Sequence, residues 1–109
     1  MIDWDRIREL RSEIGADDFL EVATMFLEEA DEALARLIDI QVAKSLEADL
    51  HFLIGAALNL GFVRLAALCQ DGERRASAGD TAVNIFELSE AYNASKQAFL
   101  SQMDAAFAA

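Results

Sequence analysis

His51-Phe52-Leu53-Ile54-Gly55-Ala56-Ala57-Leu58-Asn59-Leu60-Gly61 holds the only histidine in 109 residues. Together with the residues just before it, it also sets the period of the chain. Leu46, Leu50, Leu53, Ala57 and Leu60 recur at spacings of four, three, four and three, the bundle-facing stripe of an α-helix. His51 lies about 100° around that helix from Leu50. It shares its own face with Glu47, Ile54, Gly55 and Leu58, which places it beside the core stripe and partly exposed. Imidazole has an unperturbed pKa of about 6.5, so a neutral, nucleophilic nitrogen is present near neutral pH. Gly55 follows one turn later and offers no side chain, so something large can approach His51 there. Glycine in a helix interior costs roughly 1 kcal/mol relative to alanine, so its presence calls for a reason. Ile54 and Leu58 flank the histidine where polar residues are expected. They are either ordinary core of a helix buried on most sides or an apolar docking patch around a reactive group.

Outward from this stretch the chain reads as helix throughout. A short helix begins near Asp3, carries Trp4, Ile7, Leu10 and Ile14 on one side, and ends at Gly15. Ala16 or Asp17 opens a long second helix with acids in its first turn, where the helix dipole favours them. Its apolar positions are Phe19, Val22, Phe26, Ala30, Ala33, Leu37 and Ile40. The third helix begins at about Gln41 or Ser45 and ends at Leu60, with Gly61 as its stop. A fourth covers residues 62 to about 78, after which Gly79 and Asp80 make a stop and a new N-cap. A fifth begins at Thr81 and runs to about Phe107 through Ile85, Leu88, Tyr92, Phe99 and Met103. Connections of a few residues pack sequential helices antiparallel. The expected fold is all-α: an up-down four-helix bundle capped by the short first helix, one domain over residues 1–109.

Composition narrows the function classes. Hydrophobic residues make up 54% of the chain, proline is absent and glycine numbers five, so a core is affordable and no flexible linker is evident. Charges break every apolar run before the ~18 residues of a membrane span. The first residues lack the basic-then-apolar pattern of a signal peptide, and a lone cysteine, Cys69, cannot form an intrachain disulfide. A cytoplasmic protein is expected. The net charge is −11, and residues 17–32 hold seven acids and no base. Such a surface repels phosphate backbones and anionic lipids, so neither nucleic acid nor membrane is an expected partner. One histidine and one cysteine do not make an ordinary zinc site. No glycine-rich phosphate loop and no G-x-S-x-G elbow is present, so self-phosphorylation from ATP is not encoded. Cys69 falls with Leu65 on a packing face and reads as core.

The segment from His51 through Gly61 resembles the histidine-containing phosphotransfer (HPt) domain, whose pattern is roughly H-x-L-K-G-[SA]-[AS]-x-x-x-G. Asp5-Arg6-Ile7-Arg8-Glu9-Leu10 and Phe19-Leu20 through Leu27 resemble that family's first two helices. Leu65-Ala66-Ala67-Leu68-Cys69 and Ala78-Gly79-Asp80 resemble its fourth helix and last turn. The resemblance implies a phosphocarrier, not an enzyme, in a two-component phosphorelay. His51 is then the phosphoacceptor, and Glu47, Ile54, Gly55 and Leu58 meet the partner. The implied partners are response-regulator receiver domains and a hybrid histidine kinase. The carrier itself is implied to be a monomer without metal or cofactor, the Mg²⁺ being supplied by the receiver domain. Phosphoryl transfer mostly needs alignment and charge neutralisation, which a partner's metal provides.

One position departs from the pattern. The family usually has lysine where this chain has Ile54, one turn after the histidine, and isoleucine cannot neutralise a phosphoryl group. Counting ten residues either way from Gly61 puts His51 level with Asp71 and Gly72, with Arg74 and Arg75 in the next turn. An arginine fork binds phosphate, so Arg74 and Arg75 are the expected phosphate-stabilising groups, unless they are solvated or paired with acids. Gly72 is expected to thin the fourth helix beside the site, unless it is merely a local weak point. Two other readings stand beside the carrier. One is an interaction module that docks receiver domains with little or no transfer. The other is a helical homodimer joined through Ile54 and Leu58. An exposed imidazole beside open space over Gly55 supports the carrier; one hydrogen-bonded to a buried carboxylate, or covered by a symmetry mate, supports the other two.

Overall fold

The computed structural model describes residues 2–38, 46–80 and 83–107. Five helices cover them: α1 (Trp4–Ile14), α2 (Ala16–Ile38), α3 (Leu46–Leu60), α4 (Val63–Ser77) and α5 (Ile85–Phe107). Among the described residues there is no β-strand, only an isolated antiparallel bridge between Ile2 and Phe62. The expectation of an all-helical chain holds. Gln41, Ser45, Ile40 and Thr81, on which parts of the sequence reading rested, lie outside the described residues.

Local chemistry sets the helix ends. The Asp3 carboxylate accepts from the Arg6 backbone N–H at 3.2 Å, opening α1. Gly15, at φ +104°, closes it by donating to the Arg11 carbonyl at 2.8 Å. The α3–α4 turn hinges on Gly61 at φ +69°, where a Cβ would collide with the Asp3 carbonyl oxygen. The Asp3 N–H in turn donates to the Gly61 carbonyl at 2.8 Å, so the start of the chain is pinned to this turn. At the end of α4, Gly79 at φ +89° donates to Ala76 and the Asp80 N–H to the Arg75 carbonyl at 2.8 Å. The Asp80 N–H thus belongs to the closing turn of α4, and α5 takes its N-cap further along the chain. That cap is Asn84, whose Oδ1 accepts from the Glu87 N–H at 3.0 Å, and α5 starts at Ile85.

The helix α3 packs against α1, α2 and α4; α4 packs on α5, and α5 returns to α2. The predicted α3 stripe is core: Leu50, Leu53, Ala57 and Leu60 are buried and Leu46 is half-buried. On α2 the inward line runs through Phe19, Ala23, Leu27, Ala30, Ala33 and Leu34, while Val22, Phe26 and Leu37 are half-buried on its flanks. The sequence reading had Phe19, Ala30 and Ala33 on this line and missed Ala23, Leu27 and Leu34, because its chosen stripe lay to one side of the true inward face. Phe99 gathers the aromatic centre, with ring centroids 6.0 Å from Trp4, 6.5 Å from Phe19 and 6.0 Å from Phe62. The Tyr92 hydroxyl ties α5 to α2, 2.6 Å from Asp31 Oδ1 and 3.0 Å from the Leu27 carbonyl. Gly72 is buried, and a Cβ there would press on Val83 at 3.3 Å and Leu50 at 3.4 Å. It thins α4 towards the core, not towards the His51 face as the sequence suggested. Cys69 is core, and burial pushes its thiol pKa up to about 12.

Candidate functional site

His51 sits in the second turn of α3 with its side chain 78% exposed. The sequence reading placed it beside the core stripe. The structure places it opposite the core, because Asp49 and Ala56 are buried as well and draw the centre of the packed arc away from it. Asp49 is buried through Arg36 of α2, whose Nε and Nη2 both lie 2.9 Å from Asp49 Oδ1. This charge-assisted contact clamps α2 onto the first turn of α3, two residues before the histidine.

Beyond His51 the helix surface is open. A Cβ built on Gly55 meets nothing within 4 Å. Leu58, on the same face, is 51% exposed, and Glu47 is exposed. Ile54 is different, being half-buried and packed against the core cluster. The two apolar flanks therefore divide: Leu58 is surface, and Ile54 belongs partly to the α3–α4 interface. On the α1 side, Asn59 donates to the Gly55 carbonyl at 3.0 Å and accepts from Arg6 at 2.9 Å.

The neighbour that reaches His51 from α4 is Glu73, with Oε1 3.5 Å from the histidine Nδ1. The hairpin count had put Asp71 and Gly72 at this level and missed Glu73. The usable signal was Gly72 itself: it continues the buried line of Leu65 and Cys69, so residue 73 turns outwards beside α3. A carboxylate facing Nδ1 favours a proton there and leaves the Nε2 lone pair for chemistry.

Arg74 and Arg75 do not reach towards His51 as free cations. Arg74 Nη2 lies 3.1 Å from Asp71 Oδ1, and Arg75 Nε lies 2.9 Å from Asp71 Oδ2. One carboxylate holds both. Arg74 still lines a groove with Ile54, Ala67, Gln70, Glu73 and Ser77. Arg75 lines a separate cleft between α4 and α5 with Leu68, Gly72, Val83 and Asn84. Glu47, at the edge of the His51 face, accepts from the Ser77 hydroxyl at 3.1 Å.

Among the described residues, no group of three or more His, Cys, Asp or Glu side chains could hold a metal ion. No described helix is long and apolar enough to cross a membrane. The chemistry on offer is one exposed imidazole on a rigid helix, beside open space. Compared with known proteins, residues 17–106 match the family model of the Hpt domain. No curated protein and no solved structure matches the chain significantly.

Proposed function

The chain belongs to the Hpt domain family, and on that premise we propose that it carries a phosphoryl group on His51 between the aspartates of response-regulator receiver domains. Members of this family are helical-bundle phosphocarriers of phosphorelays, not catalysts in their own right. The observation that carries the reading for this chain is the sole histidine, 78% exposed, next to a glycine whose missing side chain leaves open space.

In the forward step, the Nε2 lone pair of His51 attacks the phosphorus of an aspartyl phosphate in line. The P–N bond forms as the P–O bond to the aspartate breaks, and the aspartate leaves as a carboxylate. The proton on Nδ1 stays towards Glu73 through the transfer. The reverse step hands the phosphoryl group to the aspartate of a second receiver domain. A Mg²⁺ ion bound by the receiver domain would supply charge neutralisation, the larger part of what phosphoryl transfer requires, while this chain supplies the nucleophile. The carrier needs no cofactor of its own and has no autokinase activity. A hybrid histidine kinase stands upstream. Glu47, Gly55, Leu58 and Ile54 form the surface that the receiver domain covers, and Arg74, once released from Asp71, is the nearer candidate for holding phosphate.

The proposal extends to the architecture: an up-down antiparallel four-helix bundle of α2 to α5, with α1 as a cap, forming one monomeric cytoplasmic domain over residues 1–109. The closed circuit of contacts from α2 to α3, α4, α5 and back to α2 supports it. The reading is tested by incubating the protein with phosphorylated receiver domains and following acid-labile phosphate on the chain.

A second reading rests on one specific observation. Ile54 replaces the usual cation, and Arg74 and Arg75 are both held by Asp71. With no free cation beside His51 among the described residues, the same surface docks receiver domains but passes phosphate poorly. Tight receiver binding with transfer close to background selects this reading over the carrier.

A further inference from the structure

Beside His51, the α3–α4 interface opens into a groove lined by Ile54, Ala67, Gln70, Glu73, Arg74 and Ser77. Three of its four polar side chains, all but Gln70, are already engaged within the chain. Ser77 donates to Glu47 at 3.1 Å, Arg74 is held by Asp71 at 3.1 Å, and Glu73 faces the His51 imidazole at 3.5 Å. A visitor that hydrogen-bonds these walls must first break contacts the protein has made for itself, and gains little net energy by it. The floor is different. Ile54 is half-buried and Ala67 exposed, and neither has anything to lose when apolar surface covers it.

The groove is continuous with the phosphoacceptor, since Glu73 forms its wall and also touches His51. A receiver domain that covers the ~800 Å² of a standard interface around His51 lies over this groove as well. We propose that the groove floored by Ile54 and Ala67 is a socket for one apolar side chain of the receiver domain that docks on His51, and that it selects which receiver domains bind. This rests on the phosphocarrier reading above. On this view Ile54 is a specificity determinant: it exchanges a charge contact for an apolar one and favours receiver domains that present an aliphatic or aromatic side chain there.

The test uses receiver domains from the same organism, first ranked by phosphate exchange with the wild-type chain. The best is then titrated onto the transfer-dead His51→Gln chain, alone and with Ile54→Ala, Ile54→Lys or Ala67→Gln added. Ala67→Gln fills the groove from the exposed part of its floor without altering the core, which keeps the test meaningful if an Ile54 variant folds poorly. Each added substitution is expected to weaken binding about fivefold to tenfold, from the loss of part of one aliphatic burial. Ile54→Lys is also expected to change the order of preference among receiver domains. Leu20→Ala, an exposed apolar residue on α2, should leave affinity within about twofold of the parent, as expected for a surface substitution outside the contact. If receiver domains exchange phosphate with the wild type but bind all the groove variants equally well, the socket is wrong and the carrier stands. If no receiver domain binds the wild type or exchanges phosphate with it, the carrier reading falls and the socket with it.

Discussion

Glu73 Oε1 on α4 lies 3.5 Å from His51 Nδ1 on α3, and the histidine is otherwise 78% exposed. One nitrogen of the ring is thus addressed by the protein and the other is left to solvent. Removing the carboxylate should therefore change the tautomer before it changes the fold. In Glu73→Ala, the fraction of neutral imidazole with its proton on Nδ1 should fall, measured by ¹⁵N chemical shifts of the ring. Phosphate acceptance should slow by about three- to tenfold, the worth of a modest orienting contact of 0.7–1.4 kcal/mol. Glu73→Gln, which keeps an acceptor oxygen, should recover part of both. An unchanged tautomer ratio in Glu73→Ala would remove Glu73 from the site.

Gly55 separates docking from folding. A Cβ there meets nothing within 4 Å, so Gly55→Gln should fold normally and gain up to about 1 kcal/mol from helix propensity. Receiver affinity and phosphate acceptance should each fall more than about tenfold, because the new side chain stands where the partner must lie and blocking that contact is worth more than about 1.4 kcal/mol. Chemical denaturation and transfer assays on the same preparation read both effects.

Ser95 on α5 is fully buried, and its hydroxyl has no hydrogen-bond partner among the described residues. An unsatisfied buried hydroxyl costs about 1–3 kcal/mol, and serine is a poorer helix former than alanine. Ser95→Ala should therefore stabilise the protein by about 1 kcal/mol or more, visible as a higher urea midpoint at unchanged slope. A destabilised Ser95→Ala variant would mean that the hydroxyl is satisfied in solution.

Alkaline pH should weaken the fold through Cys69. Burial raises its thiol from 9.0 to about 12, so the unfolded chain releases this proton at lower pH than the folded one. The stability this provides is fully present below pH 9 and is lost as pH rises towards 12. Tyr92 acts in the same direction, its hydroxyl raised by burial and then by Asp31. Denaturation midpoints measured between pH 8 and 11 should fall less steeply in Cys69→Ala than in the wild type, whatever the variant's starting stability.

What could be read from the chain and what could not divides along physical lines. The α3 stripe, the stops at Gly15 and Gly61 and the exposure of His51 follow from spacing within one helix, which a sequence states directly. The identity of the residue facing His51 depends on the register of α3 against α4. Counting from Gly61 fell short of Glu73 by one or two residues, and on a helix one residue is a rotation of about 100°. The pairing of Arg74 and Arg75 with Asp71 is an i,i+3 and i,i+4 arrangement that was legible from spacing. It yielded in the reading to the missing lysine, which made free arginines attractive. Asp80 looked like an N-cap by type. The backbone bonds around Gly79 put the Asp80 N–H in the closing turn of α4, and α5 opens four residues later at Asn84.

The central claim is that phosphate moves through His51. The most direct measurement mixes the protein with a receiver domain phosphorylated on its aspartate with ³²P and Mg²⁺, and follows label on each chain at acid and alkaline pH. The account predicts acid-labile, alkali-stable label on the wild type, none on His51→Gln, and none on the wild type given ATP alone. Label on His51→Gln, or a wild type that binds the receiver domain yet never acquires phosphate from it, would contradict it.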